Sequence, residues 1–146
     1  MPKSRIFLPD VNVWLALASR RHVHCQAAVE WLDTVGDREA AFCRVTQMGL
    51  LRLLTNAPTM GPDVVGPATA WGVYGRMTTD LRVQFLSEPP GIEMLWQQLT
   101  KTPQAVRNLW TDAYLQAFAQ LKDVRVVSFD RDFQRFPGPA AMILRG

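Results

Sequence analysis

Cysteine, histidine and lysine are all scarce in this 146-residue chain. The two cysteines, Cys25 and Cys43, stand far apart in apolar surroundings. That spacing excludes a disulfide scaffold or a cysteine-based metal cluster and points to a reduced, cytoplasmic protein. The two histidines, His22 and His24, fall at a predicted helix start with no third ligand nearby, so they read as surface or capping residues rather than a zinc site. Of the 16 basic residues only three are lysine. The arginines suit phosphate contacts, but a GC-rich genome also favours arginine, and here they are scattered. The formal net charge of +3 therefore allows nucleic-acid binding without defining a basic stripe. No apolar run reaches the length of a membrane span. Lys3 and Arg5 ahead of an apolar stretch, with Ala16-Leu17-Ala18 after it, imitate a signal peptide, but Pro9, Asp10 and Asn12 interrupt that stretch and exclude it. Repeats, low-complexity tracts and linkers are missing too, so residues 1–146 read as one domain. A domain of this size buries roughly 70% of its unfolded surface and can hold its own core.

What the chain does have is a steady alternation of short apolar runs and longer amphipathic stretches. Ile6 to Leu8 reads as a buried strand. Val11 to Ala18 reads as a helix that is apolar on nearly every side except at Asn12. After a polar break at 19–22, Ala27, Ala28, Trp31, Leu32 and Val35 share one helical face. Ala40 to Cys43 is a second strand, and Thr46 is the expected N-cap of a helix carrying Leu50, Leu51 and Leu54. Residues 56–66 hold two prolines and two glycines and read as a loop. Pro67 suits a first helical position, followed by a face of Ala70, Trp71, Tyr74, Met77 and Leu81. Val83 to Leu86 is a third strand, and Ile92, Leu95, Trp96 and Leu99 form the next helical face. Thr111 is expected to cap a helix lined by Ala113, Tyr114, Ala117, Phe118 and Leu121. Arg125 to Phe129 and Ala141 to Leu144 complete the strands. The pattern predicts an α/β domain: a mostly parallel central sheet of about five strands with helices on both faces.

Three acids share one position in this pattern. Asp10 follows the first strand, Asp112 opens a helix and Asp130 follows the fourth strand, so all three fall at the carboxyl rim of a parallel sheet, where ligands bind in open α/β folds. Each has a plain structural alternative: Asp10 as a helix cap, Asp112 as a partner of the helix dipole, Asp130 and Asp132 as turn residues. If the three converge, they need a proton or a cation. Two carboxylates about 4 Å apart repel by on the order of 4 kcal/mol at an effective dielectric near 20. Oxygen-only ligands favour Mg²⁺ or Mn²⁺ over zinc. Such an ion lowers the pKa of a bound water and stabilises charge on a phosphate oxygen, which suits phosphodiester hydrolysis.

These residues resemble a known family. The opening Leu-Pro-Asp-Val-Asn-Val-Trp-Leu-Ala-Leu, the stretch from Thr111 to Ala119 and the stretch from Val126 to Phe133 look like a PIN domain. Arg44 to Asn56 resembles the VapC-type toxins of type II toxin–antitoxin systems. The resemblance runs from Ile6 to about Phe136. It implies a Mg²⁺- or Mn²⁺-dependent endoribonuclease acting on RNA, held inactive by a small cognate antitoxin and often a homodimer. Asp10, Asp112 and Asp130 match the family's catalytic acids, with Asp10 and Asp112 as metal ligands. Asn12 matches a polar position that steadies the first acid. Gln47, Thr111 and Asp132 are further supporting candidates. One departure stands out. Many members carry a Glu three residues after the Thr of the third helix, and here that position is Gly49. A site one carboxylate poorer opens an alternative: a catalytically weakened or silent PIN-like module that binds RNA or an antitoxin. A phosphatase with Asp10 as nucleophile ranks lower, because Asn12 stands where such enzymes want a second acid.

Overall fold

The computed structural model describes residues 5–146; Lys3, one of the two basic residues of the signal-peptide imitation, lies outside them. In chain order the elements are β1 (Phe7–Pro9), α1 (Val11–Ala18), α2 (Cys25–Leu32), β2 (Ala40–Phe42), α3 (Arg44–Leu54), α4 (Ala57–Met60), α5 (Pro67–Thr78), β3 (Val83–Phe85), α6 (Ile92–Leu99), α7 (Leu109–Lys122), β4 (Arg125–Ser128) and β5 (Met142–Ile143). The strands form one five-stranded sheet in the order β3-β2-β1-β4-β5. Every pairing is parallel, as the alternation of strands and helices predicts. β1 lies at the centre, where both its edges are paired, and its residues Leu8 and Pro9 are buried.

The sheet separates two apolar layers. Successive strand residues point to opposite faces, so Val127 joins the layer under α1, α2, α3 and α5, and Val126 joins the layer under α6 and α7. Trp14 anchors the first layer. It is 1% exposed and stacks on Phe42, ring centroids 3.7 Å apart. Phe118, Leu115 and Phe133 fill the second. The apolar run that imitates a signal peptide is therefore core: Val13, Trp14, Leu15 and Ala16 are all buried. Among the described residues no helix is long and apolar enough to cross a membrane. Both cysteines are free thiols. His24 stacks on Phe129 with ring centroids 4.4 Å apart, and His22 accepts from the His24 N–H.

Three local expectations are corrected. Thr46 does not cap α3. The helix starts earlier, with Cys43 at the cap, and the Thr46 hydroxyl accepts from the Cys43 N–H at 3.0 Å from inside the first turn. Thr111 does not cap α7 either. The cap is Asn108, in the left-handed region at φ 60°, and exposed Thr111 only returns its hydroxyl to the Asn108 carbonyl. Asn tolerates that conformation better than most residues. Residues 56–66 are not all loop, because the Asn56 side chain accepts from the Thr59 N–H and nucleates the short α4, which runs into a 3₁₀ turn at Gly61–Asp63. The tryptophans divide: Trp14 and Trp31 are core, whereas Trp71 and Trp110 are more than half exposed.

Candidate active site

The site is assembled where β1 and β4 run side by side. Their register sets Pro9 opposite Val127, and the Asp10 N–H donates to the Val127 carbonyl at 2.8 Å. This final ladder bond brings the residue after β1 level with the end of β4. Asp10 is the cap of α1, its Oδ1 accepting from the Val11 N–H at 2.7 Å. Its Oδ2 accepts from the Ser128 hydroxyl at 3.0 Å. The capping role and a place in the site are thus held by the same carboxylate through different oxygens.

Ser128 is the residue that sequence reasoning missed. It is fully buried at the end of β4. Its oxygen accepts from Asn12 Nδ2 at 3.1 Å and from the Asp130 N–H at 3.0 Å. A hydroxyl has one proton to give, and with these two donors directed at its oxygen that proton goes to Asp10. Asn12 also accepts from the Phe129 N–H through Oδ1, so its orientation is fixed at both ends. The available signal was a serine closing a buried strand immediately before the Phe-Asp step.

Asp112 arrives from the other side, on the first turn of α7. It is 4% exposed. Burial first, and then the charges of Asp10, Asp130 and Asp132, push its carboxyl up to about 7, against the pull of Arg135. Asp10 is raised as well, chiefly by burial and also by Asp130, while the Val11 N–H and Ser128 hold it down. The structure therefore brings Asp10, Asp112 and Asp130 within electrostatic reach of one another. Asp130 accepts from the Asp132 N–H through Oδ1, which also caps the 3₁₀ turn Arg131–Arg135.

Arg135 is the second residue not anticipated. Its guanidinium lies 3.4 Å from Asp112 Oδ2 and 3.6 Å from Asp132 Oδ2, and it packs over the Phe136 ring. Nothing in the local sequence marks it, because its contact with Asp112 is made across the fold. The other supporting candidates are not drawn in. Gln47 is buried but its Oε1 accepts from Arg44, and Thr111 is exposed. Gly49 packs against α1: a Cβ there would lie 3.1 Å from Val11 Cγ2. The glycine thus allows close approach of α3 to the residue after Asp10. A side chain at 49 has to displace Val11, which opposes the gain in helix propensity over Gly of up to about 1 kcal/mol.

Among the described residues no group of three His, Cys, Asp or Glu side chains could hold a metal ion by itself. The donor set nonetheless fits a hard cation that keeps several waters and uses one or two carboxylates. Asp10 and Asp112 offer only oxygen, and a dication would offset both the burial and the neighbouring negative charge that lift Asp112 to about 7.

The PIN domain family model matches residues 7–139. The chain belongs to the PIN-domain family. It is 38% identical to ribonuclease VapC41 of Mycobacterium tuberculosis over 91% of this chain and 94% of that relative. It is 32% identical to ribonuclease VapC44 of the same organism, covering 92% of each. Its fold also matches VapC20 of Mycobacterium tuberculosis, described as a sarcin-ricin loop cleaving toxin, with a TM-score of 0.65 at 14% identity over 88% of this chain and 92% of that one. VapBC2 from Rickettsia felis, bound to a promoter DNA fragment, matches with a TM-score of 0.68 at 10% identity over 96% and 99%. At these identities the two structures speak for the PIN fold.

Two measurements test the site's wiring. Ser128→Ala leaves two part-buried donors, Asn12 Nδ2 and the Asp130 N–H, without their acceptor and is expected to cost roughly 1–3 kcal/mol in urea unfolding; it also raises the Asp10 pKa further, read by carbon NMR of labelled aspartate. An unchanged Asp10 titration would dismiss the hydroxyl as its partner. The second concerns pH. The folded Asp112 carboxyl keeps its proton to about 7, while an unfolded one releases it near 3.8. Ionising it in place costs stability, so in EDTA this group makes the protein less stable as pH rises from about 4 to about 7, with no further change above. Asp112→Asn removes that dependence: its Tm exceeds the wild type's above pH 7, and the difference shrinks toward pH 4. A constant difference across the range would contradict a raised Asp112 carboxyl.

Proposed function

We propose that the chain is a Mg²⁺- or Mn²⁺-dependent endoribonuclease, the toxin of a type II toxin–antitoxin pair, acting on RNA in the cytoplasm. The observation that carries this reading is the pair of Asp10 and Asp112, both with pKa raised first by burial, and with the charge of Asp10 adding to the cost of ionising Asp112, at the rim of a PIN fold. The relatives' printed names as ribonucleases support the substrate class.

In this reading Asp10 and Asp112 would hold the cation, and Ser128, itself held by Asn12, favours the ionised form of Asp10 and aims it. When bound, the cation supplies a water of lowered pKa and stabilises charge on a phosphate oxygen. Asp130 lies beside the pair with Oδ2 free of the Asp132 N–H, which is taken by Oδ1. There it accepts a proton from the water that attacks phosphorus as the ester bond breaks, and the leaving oxygen takes a proton from solvent. Asp132, mostly exposed, acts from further out through Arg135. Arg135 offsets part of the negative charge around Asp112 before a cation arrives.

The solved neighbours include VapBC complexes from Rickettsia felis and Salmonella typhimurium, which supports a small antitoxin as partner. An antitoxin Arg can pair bidentately with a site carboxylate and take the cation's place. Self-association as a homodimer belongs to the same reading and is measured by light scattering on a sizing column.

The expected outcome is RNA cleavage by the purified chain with Mg²⁺ or Mn²⁺, none in EDTA, and loss to background in Asp10→Asn and Asp112→Asn while both keep a cooperative melt. Expression of the wild type alone arrests growth, and Asp10→Asn does not. Gly49, where the family often has Glu, is the observation that favours the silent-module reading. RNA binding without cleavage in any divalent metal would install it in place of the ribonuclease.

A further inference from the structure

Arg5, Arg21, Arg82 and Arg135 all pair with carboxylates. Arg44 does not: among the described residues it forms no ion pair. Its guanidinium is nonetheless held on two sides. The Nη1–H donates to Oε1 of buried Gln47, and Cζ lies 4.8 Å from the centroid of the Phe85 ring. The ring covers one face of a planar group whose N–H donors project from its edge. Gln47 takes one of those donors, and the residue is exposed. Arg44 also stands on the rim that carries the acids. Counting on in step from Phe7 opposite Ala40 sets Cys43 level with Asp10 on the neighbouring strand. Arg44 is the next residue, the first of α3. α3 is seated on the start of α1, where Gly49 lets it approach Val11, the residue after Asp10. Cys43 shares an apolar layer with Leu8 of β1 and with Tyr114 of α7, the helix of Asp112. The guanidinium lies over the last residue of β3, which is the second strand from β1, about 10 Å away at the usual strand spacing. In keeping with that separation, Arg44 takes no part in the charge balance of Asp10 or Asp112.

We propose that Arg44 binds an RNA phosphate that flanks the one cut at the acids, with Gln47 and Phe85 as the residues that position its guanidinium. The inference rests on the ribonuclease reading for its substrate. A guanidinium pairs with phosphate through two parallel N–H donors, which the contact with Gln47 leaves available. Because the ring and the amide already fix the side chain, little rotamer freedom is left to lose when RNA binds. The offset of roughly two strand spacings leaves the reacting phosphate to the acids and their cation. A contact to a flanking phosphate is the same before and during bond breaking, so it contributes to substrate binding and not to turnover.

The test is fluorescence anisotropy of a labelled single-stranded RNA with the full chain in EDTA, across about 50 to 200 mM salt. Arg44→Ala is expected to weaken binding about tenfold at the low end, the order for one charged contact. It also makes the slope of log affinity against log salt shallower by about 0.7, the value for one phosphate on a single strand, so the loss shrinks to about fourfold at the high end. Arg44→Lys keeps the slope and loses part of the affinity, because a point charge does not reproduce the paired donors. Gln47→Leu weakens binding in the wild type and adds nothing to Arg44→Ala. Arg52→Ala, exposed in the last turn of α3 and about 12 Å further along the helix, changes nothing. In cleavage with Mg²⁺ or Mn²⁺, Arg44→Ala raises KM and leaves kcat within about twofold. Melting curves establish that each variant is folded. Wild-type affinity and slope in Arg44→Ala, an equal loss in Arg52→Ala, a fall in kcat at unchanged KM, or no RNA binding by the wild type overturns the proposal. So does altered self-association with RNA affinity intact, which assigns Arg44 to a protein interface. The two readings fail separately. RNA that binds through Arg44 but is not cut removes the ribonuclease and keeps the phosphate contact; RNA that is cut while Arg44→Ala keeps the wild-type KM and salt slope removes the contact alone.

Discussion

β1 and β4 come together from opposite ends of the chain: Asn12 and Ser128, hydrogen-bonded across their tips, are 116 positions apart. The parallel register of those two strands is the constraint on which the site depends. It closes with the Asp10 N–H on the Val127 carbonyl, and it sets the single proton of Ser128 on Asp10. A parallel pair needs a long crossover. Here the intervening chain supplies both apolar layers, the two outer strands on one side and α7 with Asp112. Slipping the register by one residue would turn every side chain of β1 to the other face. Leu8 would leave the α7 layer, and Asp10 would lose Ser128. Core packing and site geometry are therefore specified by the same few backbone bonds.

The charge balance at the rim exceeds what a structural role for these acids requires. Each has a local duty that a helix cap or turn could account for: Asp10 holds the Val11 N–H and Asp130 the Asp132 N–H. Such duties do not require a third carboxylate to be buried against them. Asp112 is placed there by α7, at a cost visible in a carboxyl lifted to about 7. Arg135 relieves only part of this, at 3.4 Å and with Asp132 sharing it. A divalent cation relieves more, because it attracts Asp10 and Asp112 together and can keep its own waters.

Much of this was legible in the chain, and the reasons differ by feature. The strands and helices follow from period and from Gly and Pro punctuation, because burial on one face writes a regular pattern. Asp10, Asp112 and Asp130 were legible because acids at strand ends and helix starts break that pattern. Helix starts were not: Thr46 and Thr111 look like caps, but in each case the chain turned helical before reaching the threonine, with Cys43 and Asn108 in the capping position. Ser128 and Arg135 were hidden because their partners lie on other elements. A serine in a strand and an arginine in a turn carry no mark of a contact made across the fold. Gly49 was seen as a missing carboxylate, and the structure adds what its absence permits, the close seat of α3 on Val11.

On the proposed reading the carboxylates stay short of full ionisation until a cation joins them. Proton release on metal binding tests it most directly. With Asp112 titrating near 7, Mg²⁺ binding at pH 7 displaces about half a proton from that carboxyl, and the release fades by about pH 9. Calorimetry in two buffers of different ionisation enthalpy measures that number. Metal-linked release at pH 7 that vanishes at high pH and in Asp112→Asn is the predicted result; Mg²⁺ binding with no proton released at either pH, or no binding at all, would contradict it.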